Sequence, residues 1–255
     1  MTAASPQMLR ASRGALAGRR LLVIGAGGLG CAVLHALSDS GATLVIADDD
    51  RIEASNLHRQ ILFTTDQIGT DKLDATRAAL LSRGVPRQRI ELVRSRFLPE
   101  NARSLSSAVD LVIEGADNFA TKFLTADAAR LENRPVVHGA AVRFEATVLF
   151  AAAAGRPCYR CLFEDLPAGG AQQNCAEAGV LGPLVGLAGA LMADFALRAL
   201  TLHDVPHGRL MTYSALTDRL REVELAVNPH CPLCGPAASI IQIDETRYTA
   251  PSCAA

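Results

Sequence analysis

The feature that most constrains the fold of this chain is a glycine-rich turn. It follows a short apolar run, residues 21–24, and its glycines are Gly25, Gly27, Gly28 and Gly30. Apolar residues then recur at helical spacing, and a second apolar run, residues 43–47, leads to Asp48. Asp48 lies 18 residues beyond Gly30, close to the ~20-residue spacing of dinucleotide-binding folds. The pattern predicts a strand, turn, helix and strand in which the glycines let backbone N–H groups approach a phosphate. Asp48 would accept hydrogen bonds from ribose hydroxyls.

Composition limits the possible partners. The 255 residues are 49% hydrophobic, which predicts a packed core rather than disorder. Lys and Arg total 25 against 26 for Asp and Glu, so the net charge of -1 gives no electrostatic basis for binding nucleic acid or an anionic membrane. Residues 1–20 lack the apolar core of a secretory signal, so we expect a cytoplasmic protein with no nucleic-acid or membrane partner.

Alternating strand and helix patterns continue along the chain. They predict an α/β fold with three layers, Rossmann-like, whose mostly parallel sheet has mixed edge strands. Helical patterns cover residues 71–82, 121–132 and 179–200, and strand patterns cover residues 90–93, 111–114, 135–140, 145–150, 210–214 and 219–226. Because residues 135–140 and 145–150 are separated by only a few residues, we predict that this pair is antiparallel. We expect residues 1–20 to be an N-terminal extension and residues 21–255 to form a single domain.

The longest apolar run, residues 179–193, is shorter than the roughly 18 residues of a membrane span, and it predicts a buried helix. Gly182, Gly186 and Gly189 fall on one face of this helix. A face without side chains lets another helix approach closely, which predicts either a tightly packed core or a subunit contact.

Two cations bear on the type of reaction. On the glycine turn alone, a nicotinamide-dependent dehydrogenase is the favoured interpretation. However, Arg59 lies within Ser55-Asn56-Leu57-His58-Arg59-Gln60, soon after the ribose acid, and Lys72 opens the next helical pattern. Arg59 and Lys72 would suit the α-phosphorus of a triphosphate and its departing pyrophosphate. For either residue alone, an exposed charged loop is the competing interpretation.

Asp117-Asn118 follows a predicted strand at the edge of the sheet where open α/β folds bind ligands. A carboxylate at this edge is well placed to hold magnesium against triphosphate oxygens. The alternative is that it caps the next helix, which is compatible with the metal role.

Four cysteines form two Cys-x-x-Cys pairs, Cys158 with Cys161 and Cys231 with Cys234. One pair could be a redox site, but two pairs in a cytoplasmic chain favour a single tetrahedral zinc site with four thiolates. Such a site leaves no position for an activated water, so we predict that it ties the C-terminal segment to the sheet.

Three residues with reactive side chains stand outside these patterns. Cys175 follows a small-residue loop and is a candidate nucleophile, although a spare thiol is equally compatible because no cation adjoins it. Cys31 is expected only to pack, and His138 is expected to be a satisfied core residue.

These motifs together resemble the MoeB/ThiF family of adenylyltransferases, which are bacterial relatives of the ubiquitin-activating enzymes. The resemblance runs from about residue 21 to residue 235. Its motifs follow the family's order: the glycine turn, Asp48, residues 55–60, Lys72, Asp117-Asn118, Pro157-Cys158-Tyr159-Arg160-Cys161, Asn174-Cys175-Ala176-Glu177-Ala178-Gly179-Val180 and Cys231-Pro232-Leu233-Cys234.

The resemblance implies a homodimeric enzyme that binds ATP and magnesium and adenylates the C-terminal glycine of a small ubiquitin-like sulfur-carrier protein ending in Gly-Gly. By motif position, Asp48 would hold the ribose, Arg59 and Lys72 the phosphates, Asp117 the magnesium, and the four paired cysteines the zinc. In some members a cysteine at the place of Cys175 joins covalently to the carrier. A separate protein would donate the sulfur.

The sequence departs from the family pattern at one place. Members usually carry Arg-Tyr-x-Arg-Gln before the first strand, with an arginine that reaches the ATP site of the partner subunit. Here no full copy is present, and Arg10 and Arg13 are the candidate substitutes. The alternatives that remain open are a related ATP-dependent enzyme acting on a tRNA base or a peptide, a nicotinamide oxidoreductase, and a scaffold that binds nucleotide without turnover.

Overall fold

The computed structural model describes residues 13–163, 179–202, 205 and 207–248. Within these residues the chain forms one eight-stranded sheet with the order β3-β2-β1-β4-β5-β6-β7-β8. The strands are β1 Arg20–Ile24, β2 Thr43–Ala47, β3 Ile90–Val93, β4 Leu111–Glu114, β5 Val136–Val142, β6 Glu145–Ala151, β7 Arg209–Ser214 and β8 Arg219–Glu224. Strands β1 to β5 pair in parallel, and β5 to β8 pair antiparallel.

Helices cover both faces of the sheet, which gives the three layers. Those in the described residues are α1 Gly28–Leu37, α2 Lys72–Ser82, α3 Pro99–Ser107, α4 Phe119–Leu131, α5 Tyr159–Leu162 and α6 Gly182–Thr201. One apolar core lies between the sheet and α1, α2 and α6, and the other lies between the sheet and α3, α4 and α5. The predicted α/β fold with a mostly parallel sheet and antiparallel edge strands is therefore confirmed.

Helix α3 was not predicted, because its sequence carries little apolar periodicity. Only Ala102 and Ser106 of this helix are buried. Pro99 occupies the first turn, and the Asn101 side chain accepts a hydrogen bond from the Leu98 N–H at 2.9 Å. These two start signals define the helix despite its polar composition.

Helix α6 is long and apolar enough to cross a membrane by length and composition alone, with 44% of its most apolar stretch buried in the protein. Its buried residues join the core formed with α1 and the sheet, as expected for a buried helix. A Cβ on Gly189 would overlap that of Ala32 on α1, and a Cβ on Gly28 would lie 2.8 Å from a methyl group of Val185. Absent side chains therefore let α1 and α6 pack closely within the chain.

Two glycines of α6 should respond in opposite ways to alanine. Gly186→Ala should raise the free energy of unfolding by about 0.5–1 kcal/mol, because a Cβ at this position meets nothing within 4 Å and alanine favours the helix. Gly189→Ala should lower the free energy of unfolding by about 1–3 kcal/mol, because the added methyl overpacks the contact with Ala32. Urea denaturation of both variants measures the difference, and equal effects would contradict this packing.

Candidate active site

A cleft of about 840 Å³ opens where the parallel strands of the sheet end. The loops that follow β1, β2 and β4 line it, so the predicted site residues from separate parts of the chain meet there. The predicted residues that line the cleft are Gly25, Gly27, Gly28, Asp48, Ser55, Asn56, Arg59, Gln60, Lys72, Asp117 and Asn118. Gly30 lies in the first turn of α1 and is not among the residues that line the cleft.

The glycine turn connects β1 to α1 in a tight backbone path. Gly25 has a φ of 88°, in the left-handed region that favours glycine. A Cβ on Gly30 would overlap the carbonyl oxygen of Gly25, so only glycine permits this close approach of helix and strand. Gly28 and Leu29 of the first turn of α1 line the cleft, and the N–H groups that open a helix lack an intrahelical partner and can bind an anion.

Asp48 holds the glycine turn against the end of β2. Its carboxylate accepts hydrogen bonds from the Ala26 N–H at 2.7 Å and from the Asp50 N–H at 2.9 Å. Burial raises the pKa of the Asp48 carboxyl, and the charge of Lys72 only partly opposes this. Asp48 thus shapes the turn, and the remaining lone pairs of its oxygens are available to a ribose.

Arg59 is held in the cleft wall by its own neighbours in sequence. Its guanidinium donates to the Asn56 side-chain oxygen at 2.6 Å and lies 3.3 Å from the His58 Nε2. The planar fork of arginine keeps further donors for phosphate oxygens. Gln60 is buried beside it, and its side-chain oxygen has no hydrogen-bond partner among the described residues.

Lys72 is the first residue of α2, and its ammonium is buried with only 5% of the side chain exposed. The ammonium donates to the Asp50 carboxylate at 2.8 Å, and Asp50 also lines the cleft. The ammonium has three N–H donors, so two are left for a bound anion. Arg59 and Lys72 therefore bring two cations to one cleft, as their sequence positions predict.

The sequence left two roles open for the Asp117-Asn118 pair, a ligand for magnesium and a cap of the next helix. Asn118 caps α4, because its side-chain oxygen accepts a hydrogen bond from the Thr121 N–H at 2.9 Å. Across the part of the chain that the structure describes, no hydrogen bond or ion pair engages the Asp117 carboxylate. A lone carboxylate at the rim of a cleft that also holds two cations fits Mg²⁺, which keeps most of its ligands as water and phosphate oxygens.

A buried charged group lies at the floor of the cleft, where Lys122 and His138 line the cleft and Glu114 bonds to both of them. The Glu114 carboxylate accepts hydrogen bonds from the Ala116 N–H at 2.6 Å, from the Lys122 ammonium at 2.8 Å and from the His138 Nδ1 at 3.1 Å. Burial favours the protonated acid, but the partners outweigh it, so the pKa of Glu114 lies below its ordinary value. We call Glu114, Lys122 and His138 the floor cluster.

His138 was expected from the sequence to have hydrogen-bond partners for both ring nitrogens, but only one of them has a partner among the described residues. Burial lowers the pKa of His138, and the hydrogen bond to Glu114 only partly opposes this. The neutral ring therefore carries its proton on Nδ1, where it faces a carboxylate. Its Nε2 is buried with no partner in the described ranges, so only half of the imidazole is satisfied.

A family model described as the ThiF family matches residues 5–233. The chain belongs to the ThiF family. It is 41% identical over 222 residues to the sulfur carrier protein adenylyltransferase of Thermus thermophilus, which covers 84% of this chain and 82% of that protein. It is 38% identical over 245 residues to the SAMP-activating enzyme E1 of Haloferax volcanii, which covers 95% of this chain and 89% of that protein.

Solved structures agree with the ThiF-family fold. The crystal structure of E. coli MccB with ATP matches with a TM-score of 0.75 at 19% identity and covers 88% of this chain and 69% of that one. The chain spans about half the length of some curated relatives. One of these is the adenylyltransferase and sulfurtransferase uba4 of Aspergillus niger, to which the chain is 34% identical and of which it covers 50%.

The four paired cysteines of this ThiF-family chain form one cluster, as predicted. Their sulfur atoms all lie within 4.8 Å of one another, and three of the four residues are buried. Cys158 and Cys231 are 73 residues apart in sequence, so the cluster joins the segment after β6 to the segment after β8. Four thiols at this separation fit a closed tetrahedral Zn²⁺ site.

The turn between the first two cysteines reaches into the rest of the fold. Arg160 forms a two-pronged ion pair with the buried Asp127 of α4, with both distances 2.7 Å. The Tyr248 hydroxyl donates to the same Asp127 carboxylate at 2.8 Å. The cysteine cluster is therefore anchored to α4 and to the C-terminal segment by buried polar bonds as well as by its thiols.

Several charged groups at or next to the cleft escaped the sequence analysis. They are the Lys72 partner Asp50, the floor residues Glu114 and Lys122, and Arg96, which lies 3.4 Å from Asp49. The one available signal was Glu114, an acidic residue at the end of the apolar strand β4, because a buried carboxylate needs a hydrogen-bonded or charged partner.

The remaining predictions concern cysteines and the N-terminal arginines. Cys31 packs as expected, since it is fully buried and burial raises the pKa of Cys31 to about 12. Cys175 and Arg10 lie outside the described residues. Arg13 is exposed and lies 3.7 Å from Asp39, away from the residues that line the cleft.

Proposed function

We propose that this chain is an adenylyltransferase that uses ATP to activate the C-terminal glycine carboxylate of a small ubiquitin-like sulfur-carrier protein ending in Gly-Gly, with release of pyrophosphate. The observation that carries the proposal is the meeting of Arg59, Lys72 and Asp117 with the glycine turn in one cleft. The relatives named as a sulfur carrier protein adenylyltransferase and a SAMP-activating E1 support the class of substrate.

The residues suggest how the reaction is assisted. The glycine turn and the N-terminus of α1 bind phosphate oxygens, and Asp48 fixes the ribose. The carrier carboxylate attacks the α-phosphorus in line, forming the acyl–phosphate bond as the bond to pyrophosphate breaks. Arg59 and Lys72 neutralise the negative charge that builds on the phosphate oxygens during this exchange. No side chain needs to transfer a proton, since the attacking group is already a carboxylate.

Two metals complete the proposal. Asp117 would hold magnesium, which when bound neutralises phosphate charge and orients the triphosphate. The four clustered cysteines would hold one zinc ion in a structural role, because a site with four thiolates leaves no open position. Ser55, Asn56 and Gln60 would support the nucleotide from the wall that carries Arg59.

The remaining partners follow from the same assignment. A separate protein would donate the sulfur that replaces AMP on the carrier, and the enzyme would act as a homodimer in the cytoplasm with no nucleic-acid or membrane partner. A covalent link between Cys175 and the carrier is part of the proposal only as an optional step, because adenylation itself needs no thiol.

ATP–pyrophosphate exchange tests the proposed function directly. The purified protein should exchange labelled pyrophosphate into ATP only when a carrier ending in Gly-Gly is present. The same carrier without its last glycine is the matched control and should give only background exchange. Calorimetry should detect binding of ATP and none of NAD⁺. Absence of exchange with every diglycine-ended carrier, or preferential NAD⁺ binding, would refute the assignment.

A further inference from the structure

We propose that Glu114 is a positioning residue that sets Asp117 for its divalent cation, with Lys122 as the partner that keeps Glu114 charged and in place. The proposal rests on the role given to Asp117 in the proposed function. Glu114 lies at the last position of β4, and its carboxylate accepts the Ala116 N–H at 2.6 Å. The residue after Ala116 is Asp117, so Glu114 fixes the Gly115–Ala116 peptide, which lies one peptide before the proposed cation ligand.

The backbone of Asp117 is fixed on both sides. Glu114 holds Ala116 on one side, and Asn118 on the other side is locked as the cap of α4. The Asp117 side chain itself makes no hydrogen bond or ion pair with the residues that the structure describes. Its carboxylate is therefore held in position through the main chain, which leaves its oxygens available and reduces the ordering required when a cation binds.

Lys122 supplies the charge that Glu114 needs. Glu114 is fully buried, and a buried carboxylate is costly unless it is paired and hydrogen-bonded. The Lys122 ammonium donates to Glu114 at 2.8 Å and to the carbonyl oxygen of Gly139 at 2.6 Å. Through these two bonds the first part of α4 is tied to β4 and β5, directly beneath the loop that carries Asp117.

His138 completes the coordination of Glu114 from β5. It lies opposite Glu114 in the strand register and donates through Nδ1 at 3.1 Å. The Tyr159 ring packs over the imidazole at 4.6 Å between centroids, which keeps water from this side of the floor cluster. With three donors the carboxylate cannot swing away from Ala116 without breaking several bonds, so the loop geometry is rigidly specified.

Two double variants separate loop positioning from a purely structural ion pair. Glu114→Gln with Lys122→Met removes both charges but keeps an amide oxygen that can accept the Ala116 N–H. Glu114→Met with Lys122→Met removes both charges and that acceptor. Neither variant leaves an unpaired buried charge, which is the usual reason that a single change at an ion pair fails to fold. Thermal melting establishes that each variant is folded.

The readout is the magnesium enhancement of nucleotide affinity, measured by calorimetry with an α,β-methylene analogue of ATP in the presence and absence of Mg²⁺. The Met/Met variant should lose at least about 10-fold of the enhancement, and Asp117→Ala defines complete loss. The Gln/Met variant should keep the enhancement within about 3-fold of the wild type, since the acceptor for Ala116 remains.

Equal enhancement in the Gln/Met and Met/Met variants would overturn the proposal, whether both lose it or both keep it. Lys122→Arg gives a second test that does not depend on the folding of the Met/Met variant. Arginine keeps Glu114 paired, so a 10-fold loss of enhancement in this variant would also overturn the proposal. If the wild type shows no magnesium enhancement, the cation role of Asp117 fails. If it shows enhancement but no carrier-dependent exchange, only the proposed substrate fails.

Discussion

Arg59→Ala and Asp117→Ala should each lower carrier-dependent ATP–pyrophosphate exchange at least about 100-fold while leaving the fold intact. Arg59 is oriented by Asn56 at 2.6 Å, so its guanidinium is already in place when charge develops on the phosphate oxygens. Asp117 has no hydrogen-bond or ion-pair partner among the described residues, so alanine should remove only the proposed cation ligand and no structural contact. Initial rates of exchange at saturating ATP and carrier measure both effects.

Matched controls keep this result interpretable. Arg87→Ala and Asp66→Ala remove the same charges from exposed positions outside the cleft, and both variants should exchange at nearly the wild-type rate. Circular dichroism and melting temperature should not separate the site variants from their controls. Near-normal exchange in both Arg59→Ala and Asp117→Ala would mean that the reaction centre lies elsewhere in the molecule.

Removing the metal from the cysteine cluster should cost on the order of 4 kcal/mol of unfolding free energy or more, as expected when free zinc exceeds its dissociation constant by at least about 1,000-fold. The cluster joins two segments that are 73 residues apart in sequence, and Cys231 and Cys234 are each 1% exposed. Elemental analysis should find about one zinc per chain. Chelation should then broaden the unfolding transition.

Cys31→Ala provides the control for the zinc experiment. Cys31 is buried but lies outside the cluster, so this variant should retain the full zinc content and a cooperative transition. Cys234→Ser should instead lower zinc content and stability together. Metal-free protein that unfolds at the same denaturant concentration as the zinc-loaded form would exclude a structural zinc site.

The strands were predictable because each is a short apolar run with clear boundaries. The predicted bounds of β2, β3 and β4 coincide with the structure, and β1 differs by one residue. Helix α3 was not predicted from its apolar residues, because its helical signal lies in Pro99 and Asn101 rather than in a repeated apolar face. Local periodicity thus identifies elements that bury an apolar face and misses an element defined mainly by its start.

The gathering of the candidate site residues was predictable where these residues belong to local motifs. The glycine turn, Arg59 and the Asp117-Asn118 pair each stand next to a strand or helix boundary, and the topology brings them together at one edge of the sheet. The floor cluster was not predictable in the same way. Glu114, Lys122 and His138 meet only because β4, α4 and β5 are neighbours in space, and a sequence pattern does not report which isolated charges become buried.

Val185 of α6 packs into the space that the missing side chain of Gly28 leaves beside the glycine turn. This contact has a consequence for biosynthesis. The glycine turn near the start of the chain rests on α6, a helix that the ribosome makes much later. A nascent chain that has emerged only as far as β6 has the strands and Asp48 that shape the turn, but it lacks the packing of α6 against the turn. The ability to bind ATP should therefore arise late in translation, in a single step with the burial of α6, rather than gradually as each successive strand is added.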